Sequence, residues 1–269
     1  MNARQSYKPG VETDPSRQMA GGFDWSGGRK PYAAMSESAA PVFSAELVAP
    51  ERRRHEQGLP PSPFLQELWA VRGLVLFDHG RRPAFRLTDG TFADPDPLDA
   101  AAHHIVFRLE ERMVACARIA LLSDVASGTI AALIGQRRFE EILNGIGTTT
   151  AETCEGARWT VVPDCRKHGL GRKIIIASWT VARWLGVKTA LVLAGTRNSQ
   201  DQALCRLGAR PVDGLPLVPA PRFDDELRLL YFDISNPSEP MQKRIDEVAM
   251  LLRLGKVPVM QPCRVDAST

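Results

Sequence analysis

The residues with the greatest capacity for chemistry lie between positions 155 and 173. Glu155-Gly156-Ala157-Arg158-Trp159 leads into an apolar run ending at Val161-Val162-Pro163. A short basic turn follows, Arg166-Lys167-His168-Gly169-Leu170-Gly171-Arg172-Lys173. Glycines at 169 and 171 remove the Cβ atoms that would hold a phosphate away from the backbone. The turn also opens a helical pattern, whose first N–H groups and dipole favour an anion. The six-position dinucleotide fingerprint and the Gly-Lys-Ser/Thr of a nucleotide P-loop are both missing from it. The expected chemistry is capture of a phosphate-bearing ligand by Arg166, Lys167, His168, Gly169, Leu170, Gly171 and Arg172, with Val161 and Val162 on the strand beside it.

A second group of charged residues is spread more widely. Asp94, Asp96 and Asp99 stand among prolines in a loop, where turn chemistry and helix capping are their ordinary roles. Arg118 lies inside an apolar strand pattern, so it either reaches solvent or is held by a carboxylate. Glu155 and Arg158 are three apart in extended backbone and should point to opposite faces, which gives each a different partner. Cys165 sits beside the basic turn, where positive charge lowers a thiol pKa. It has no evident histidine-aspartate partnership and reads as incidental. His103 and His104 read as the first residues of a strand.

The elements that must position these groups follow from periodicity. Ser62-Pro63 opens a helix of about four turns through FLQELWAVRGLVLF. Phe85 to Leu87 begin a strand. Ile105–Leu109 and Met113–Ile119 form an antiparallel hairpin across Glu110-Glu111-Arg112. Apolar positions 130, 133, 134, 139, 142 and 143 predict one amphipathic helix over 129–144, broken by 145–150. Strand, glycine turn and long helix come next, then a strand at 188–194, a short helix at 199–207 and a late strand at 226–232. Residues 211–222 are a proline-rich connection. Met241, Ile245, Val248 and Leu252 share one side of a helix over 238–254 that packs on the domain or on a second subunit.

Composition bounds the rest. The 269 residues, 44% hydrophobic, suffice for one sizeable core, and a net charge of +3 without a basic aromatic stripe argues against nucleic acid as a partner. Five cysteines without a C-x-x-C pair imply neither a disulfide framework nor a metal site, and a reducing cytoplasm is the expected compartment. No window approaches the roughly 18 apolar residues of a membrane span. Residues 1–61, rich in Gly, Pro, Ser and Arg, read as a mostly disordered extension, 62–235 as the folded domain, and 236–269 as a C-terminal helix and tail.

The Val-x-Pro step followed by Arg-x-x-Gly-x-Gly resembles the pyrophosphate signature of the GNAT acyltransferases. That likeness implies an α/β fold with a mixed, splayed central sheet flanked by helices, which binds coenzyme A or the phosphopantetheine of an acyl carrier protein. The order Asp96-x-x-Asp99, then Arg118, then Glu155-x-x-Arg158-Trp159 is similar to acyl-homoserine-lactone synthases and to N-acyl amino acid synthases, over about residues 64 to 234. The resemblance implies transfer of an acyl chain from an acyl-CoA or acyl-carrier thioester to the α-amino group of S-adenosylmethionine or an amino acid. On that reading Glu155 is the general base, and Asp96, Asp99, Arg118 and Arg158 shape the acceptor site. The early Arg and aromatic positions of that group match only loosely around Arg72, Phe77 and Phe85 and are not carried over. The helix that holds a tyrosine general acid in many acetyltransferases carries Leu204 and Cys205. The alternatives are a conventional acetyl-CoA acetyltransferase and a non-catalytic acyl-CoA-binding domain.

Overall fold

The computed structural model describes residues 43–125 and 128–257. In chain order they form β1 (Phe43–Val48), α1 (Arg52–Glu56), α2 (Pro63–Phe77), β2 (His103–Leu109), β3 (Arg112–Leu121), α3 (Thr129–Ile134), α4 (Gln136–Ile146), β4 (Thr153–Val161), α5 (Leu170–Trp184), β5 (Thr189–Gly195) and α6 (Gln200–Arg206). After them come β6 (Arg210–Pro211), β7 (Val218–Ala220), β8 (Asp225–Asp233), α7 (Glu239–Arg253) and β9 (Lys256–Val257). One mixed sheet runs in the order β6-β8-β5-β4-β3-β2-β1-β9, with β7 also on β8. Every pairing is antiparallel except β4 with β5.

That parallel pair is short. β5 is paired with β8 from Thr189 to Gly195, yet it meets β4 only at Thr153, Cys154 and Glu155. Beyond Glu155 the two strands diverge, so the second half of β4 presents one edge without a strand partner. Helices cover both faces of the sheet. Glu155 meets the start of α3 on one face. On the other, the Trp159 indole donates to Ser178 of α5 at 3.0 Å. α5 packs on β2, β3, β4 and α7, with Leu170, Ile174, Ala177 and Val181 buried.

Several expectations are confirmed. The Ser62 hydroxyl caps α2 by accepting the Leu65 amide at 3.2 Å, the hairpin is β2–β3, and α7 buries Met241 and Ile245. Others need correction. Residues 43–61 are not a disordered stretch: Phe43 is fully buried, and all of β1 pairs with β2, from His104 to Leu109. Phe43, Ala45 and Leu47 do alternate, but the strand is short and flanked by polar, proline-rich sequence, so its pairing is a tertiary effect. The rest of the expected extension, 1–42, lies outside the described residues, as does 258–269 of the tail. Phe85–Leu87 form no strand. Pro83–Phe85 make a turn of 3-10 helix, and Arg86 bridges only to Phe92. The helix expected over 129–144 is two, because Gly135 at φ 87° breaks it into α3 and α4. Among the described residues no helix is long and apolar enough to cross a membrane.

Candidate active site

The acidic loop is laid directly against α2. Gly73 makes this approach possible: a Cβ there would stand 2.3 Å from the Ala93 nitrogen. The Asp94 amide donates to the Trp69 carbonyl at 3.0 Å, which fixes the loop one turn along the helix. Arg72, fully buried on α2, then grips Asp99 in bidentate fashion, Nη1 to Oδ1 at 2.9 Å and Nη2 to Oδ2 at 2.6 Å. The Trp69 indole donates to the same Oδ2 at 2.7 Å. Arg72 also donates to the Asp94 carbonyl, and its Nε lies 3.2 Å from Asp94 Oδ2.

Arg118 joins this loop to β4. Its Nη1 lies 2.7 Å from Asp96 Oδ2 and 3.5 Å from Asp99 Oδ1, and its Nη2 lies 3.1 Å from Glu155 Oε1. The other Glu155 oxygen accepts the Ile130 amide of α3 at 3.1 Å. Arg158 completes the set, with Nη2 2.7 Å from Asp96 Oδ2 and Nε 3.4 Å from Asp94 Oδ2. The ordinary reading of the three aspartates as turn and cap residues is therefore incomplete. Asp96 does accept the Leu98 amide at 3.0 Å, but all three carboxylates are buried and ion-paired.

The expectation that Glu155 and Arg158 point to opposite faces fails for a definite reason. Ala157 pairs with Arg118 and Thr160 with Cys116, so Arg158 and Trp159 together oppose the single residue Ala117. This bulge places Arg158 at φ 60°, a backbone conformation disfavoured for a side chain with a Cβ. The extra residue shifts the alternation and brings Arg158 into the network that holds Glu155. The two remain indirect neighbours, linked through Arg118 and Asp96.

The electrostatics follow from burial and proximity. Burial raises the Asp96 pKa, but Arg118 and Arg158 more than reverse this and hold it well below the usual carboxylate range. Asp99 is likewise lowered, its burial outweighed by the Arg72 hydrogen bonds and by the charges of Arg72 and Arg118. His104 is lowered by burial and so is neutral near pH 7. Its Nε2–H donates to the Asp99 carbonyl at 2.8 Å, and its ring meets Phe64. His103 starts β2, as expected.

The glycine turn lies past the far end of β4. Pro163–His168 form 3-10 turns, Gly169 takes φ 67°, and α5 begins at Leu170. Gly171 faces open space, with no atom within 4 Å of a Cβ built on it. A cleft of about 640 Å³ runs beside the diverging strand, lined by Trp159, Val161, Gly171, Arg172, Gln200, Arg206 and Arg244 among others. The cations Arg206, on α6, and Arg244, on α7, carry no local signature, since their approach to Arg172 depends on helix packing.

Not every residue of the expected anion site faces this cleft. The Val162 amide is used by the Val114 carbonyl at 3.0 Å, Leu170 is core, and the His168 ring packs 5.7 Å from Phe43. The Arg166 Nε donates to the Val161 carbonyl at 3.3 Å. Lys167 belongs to the turn. Cys165 is buried, and burial raises its thiol pKa, opposite to the expected lowering. Leu204 of α6 is core, and Cys205 beside it is half-buried.

No protein-family model matches the sequence, and no curated protein matches it significantly. Solved structures do. The CoA-dependent acyl-homoserine lactone synthase MesI matches at TM-score 0.52 and 16% identity, over 77% of this chain and 95% of that one. The CoA-dependent acyl-homoserine lactone synthase BjaI, solved with SAM and isopentyl-CoA, matches at 0.54 and 14%, over 81% and 92%. TofI, in a ternary complex with an inhibitor and MTA, matches at 0.53 and 13%, over 76% and 96%. With its sheet splayed between β4 and β5, the chain has the GNAT-like α/β fold of the acyl-homoserine lactone synthases.

Proposed function

We propose that the chain is an N-acyltransferase. It moves an acyl chain from an acyl-CoA or acyl-carrier-protein thioester to the α-amino group of a small acceptor, S-adenosylmethionine or an amino acid. The observation that carries this reading is the layout of β4. One end of the strand holds Glu155 and Arg158 in an acid-and-arginine network, and its second half, which β5 leaves uncovered on one edge, leads to a glycine turn at the start of a 15-residue helix. A thioester donor needs both features, a cationic, amide-rich seat for phosphates and an extended groove for the pantetheine arm. The likeness to MesI and BjaI, both CoA-dependent synthases, the latter solved with SAM and isopentyl-CoA, supports the same reading.

In the reaction the acceptor amine attacks the thioester carbonyl. A C–N bond forms, the C–S bond breaks, and the thiolate leaves on the phosphopantetheine. The proton released by the amine passes through water to Glu155. A carboxylate has about four lone-pair directions. One direction on each Glu155 oxygen is taken, by Arg118 and by the Ile130 amide. Arg118 and the α3 amide fix the orientation of the base, and the edge of β4 that β5 leaves uncovered beyond Glu155 is where backbone amides would steady the oxyanion of the acyl carbonyl.

The test is mass spectrometry of extracts from cells expressing the chain, compared with cells expressing Glu155→Gln. A new N-acyl amino acid or acyl-homoserine lactone, lost in the variant, is expected. Extracts identical to those of an empty host, across a wild-type protein that is folded and abundant, contradict the proposal. A product confined to acetyl groups favours a conventional acetyltransferase instead.

A further inference from the structure

The proline-rich connection after β7 turns back over the buried network. Pro221–Phe223 form one turn of 3-10 helix, and Asp224, at φ 48°, leads into β8. This strap is tied down along its length. The Phe223 carbonyl accepts Arg82 Nε at 2.6 Å, and Asp224 pairs with Arg197. Asp225 Oδ1 accepts the Thr196 and Arg197 amides at 3.1 and 3.0 Å. Two side chains of the strap reach the network. Arg222 Nη2 lies 3.3 Å from Asp94 Oδ1, and its guanidinium stands 4.7 Å over the Phe85 ring. The Phe223 ring lies 5.6 Å from that of Phe85 and 5.3 Å from the Arg158 guanidinium.

Arg222 is held differently from the other arginines here. Arg72, Arg118 and Arg158 each donate a hydrogen bond to a carboxylate. Arg222 makes one ion contact, and its side chain is 43% exposed. Asp94 is its complement. The carboxyl group is completely buried, yet among the described residues neither oxygen accepts a hydrogen bond, and it is guanidinium groups at 3.2, 3.4 and 3.3 Å that offset its charge. Among the described residues, four buried carboxyl groups (Asp94, Asp96, Asp99, Glu155) face two buried guanidinium groups (Arg72, Arg118) and a third, Arg158, whose side chain is 14% exposed. Arg222 supplies the fourth positive charge from the rim. A buried carboxylate without hydrogen bonds is poorly compensated, and beside two aromatic faces it has the chemistry of a cation site.

We propose that Asp94, Phe85 and Phe223 form a seat for a cationic group of the acyl acceptor, and that Arg222 occupies this seat until the acceptor displaces it. The inference rests on the acyltransferase reading only in calling the ligand an acceptor. An amine attacks a thioester in its unprotonated form, so the charge that fills the seat during reaction belongs to a second group of the acceptor, an ammonium, guanidinium or sulfonium. Arg222 thereby sets selectivity. A neutral analogue gains nothing at Asp94 that displacing Arg222 does not take away.

The test is calorimetric titration of the full chain with two matched pairs of probes, S-adenosylmethionine against S-adenosylhomocysteine and L-arginine against L-citrulline. Arg222→Met, which keeps an apolar stem over Phe85, is expected to bind the charged member of at least one pair about tenfold more tightly than wild type does, with the neutral member unchanged. Arg222→Lys should restore wild-type behaviour, and Arg222→Gln serves in place of the methionine variant if that one does not fold. The proposal is overturned if the variants bind neither charged probe, or if charged and neutral members respond alike. Acyl-CoA binding and acyl transfer are measured on the same preparations. Transfer without any charge preference ends this proposal alone. Charge preference without acyl-CoA binding or transfer ends the acyltransferase reading and leaves the cation seat standing.

Discussion

Arg118 and Arg172 carry the same guanidinium group in opposite settings. Arg118 is 1% exposed and lies against three carboxylates. Arg172 is exposed on an open cleft and, like Arg206 and Arg244, takes part in no ion pair among the described residues. The first region is closed on itself, each charge held by several others, and the fold depends on its completeness. The second is left open, its cations and Gly171 facing solvent, and folding makes little use of it. Charges compensated inside the protein act through stability and orientation, whereas charges left uncompensated at a cleft act through what they bind.

Breaking the closed region should have the largest effect. Asp99→Ala removes the bidentate partner of Arg72 and one partner of Arg118, leaving buried guanidinium groups short of charge. A loss of about 3–5 kcal/mol of unfolding free energy is expected by chemical denaturation. Acid should do gradually to two carboxylates what that substitution does to one. The folded-state pKa values of Asp96 and Asp99 are depressed, so their contribution is complete above the unfolded value of about 4 and is lost as pH falls from there towards the folded values. A denaturation series from pH 7 to pH 2.5 should be flat near neutrality and fall below about pH 4. Asp99→Ala should show a shallower fall.

Gly73→Ala probes how closely the acidic loop lies on α2. The added methyl meets the Ala93 backbone, which has no flexible side chain to yield, so a cost of about 1–3 kcal/mol is expected despite the better helix propensity of alanine. Gly171→Asp is the matching change in the open region. Its side chain enters free space, so stability should move by less than about 0.5 kcal/mol while acyl-CoA affinity falls by about tenfold or more, read by titration calorimetry. An unfolded Gly171→Asp, or an unperturbed Asp99→Ala, would erase the contrast between the two regions.

The same contrast explains what could be read from the chain before its structure. The glycine turn was legible because its parts are contiguous: strand, Val161 to Pro163, glycines 169 and 171, helix. The hairpin and α2 were legible through alternation and the Ser62 cap. The closed network was legible in its members at 96, 99, 118, 155 and 158 but not in its wiring. Arg72 meets Asp94 and Asp99 across 22 and 27 residues, and Arg158 joins only through a bulge that strand alternation cannot foresee. Arg222 and Phe223 were hidden in a proline-rich connection with no periodicity of its own. β1 escaped because its neighbours are polar, and Gly135 looked tolerable inside a helix until its positive φ divided α3 from α4.

The central claim is that one strand, β4, joins a thioester-binding turn to a base that deprotonates the attacking amine. The direct measurement is release of free coenzyme A thiol from medium-chain acyl-CoA by purified protein, with and without an amine acceptor, for wild type and Glu155→Gln. The account predicts acceptor-dependent release that falls about a hundredfold or more in kcat in the variant, with acyl-CoA affinity unchanged. Equal turnover by wild type and Glu155→Gln would contradict it.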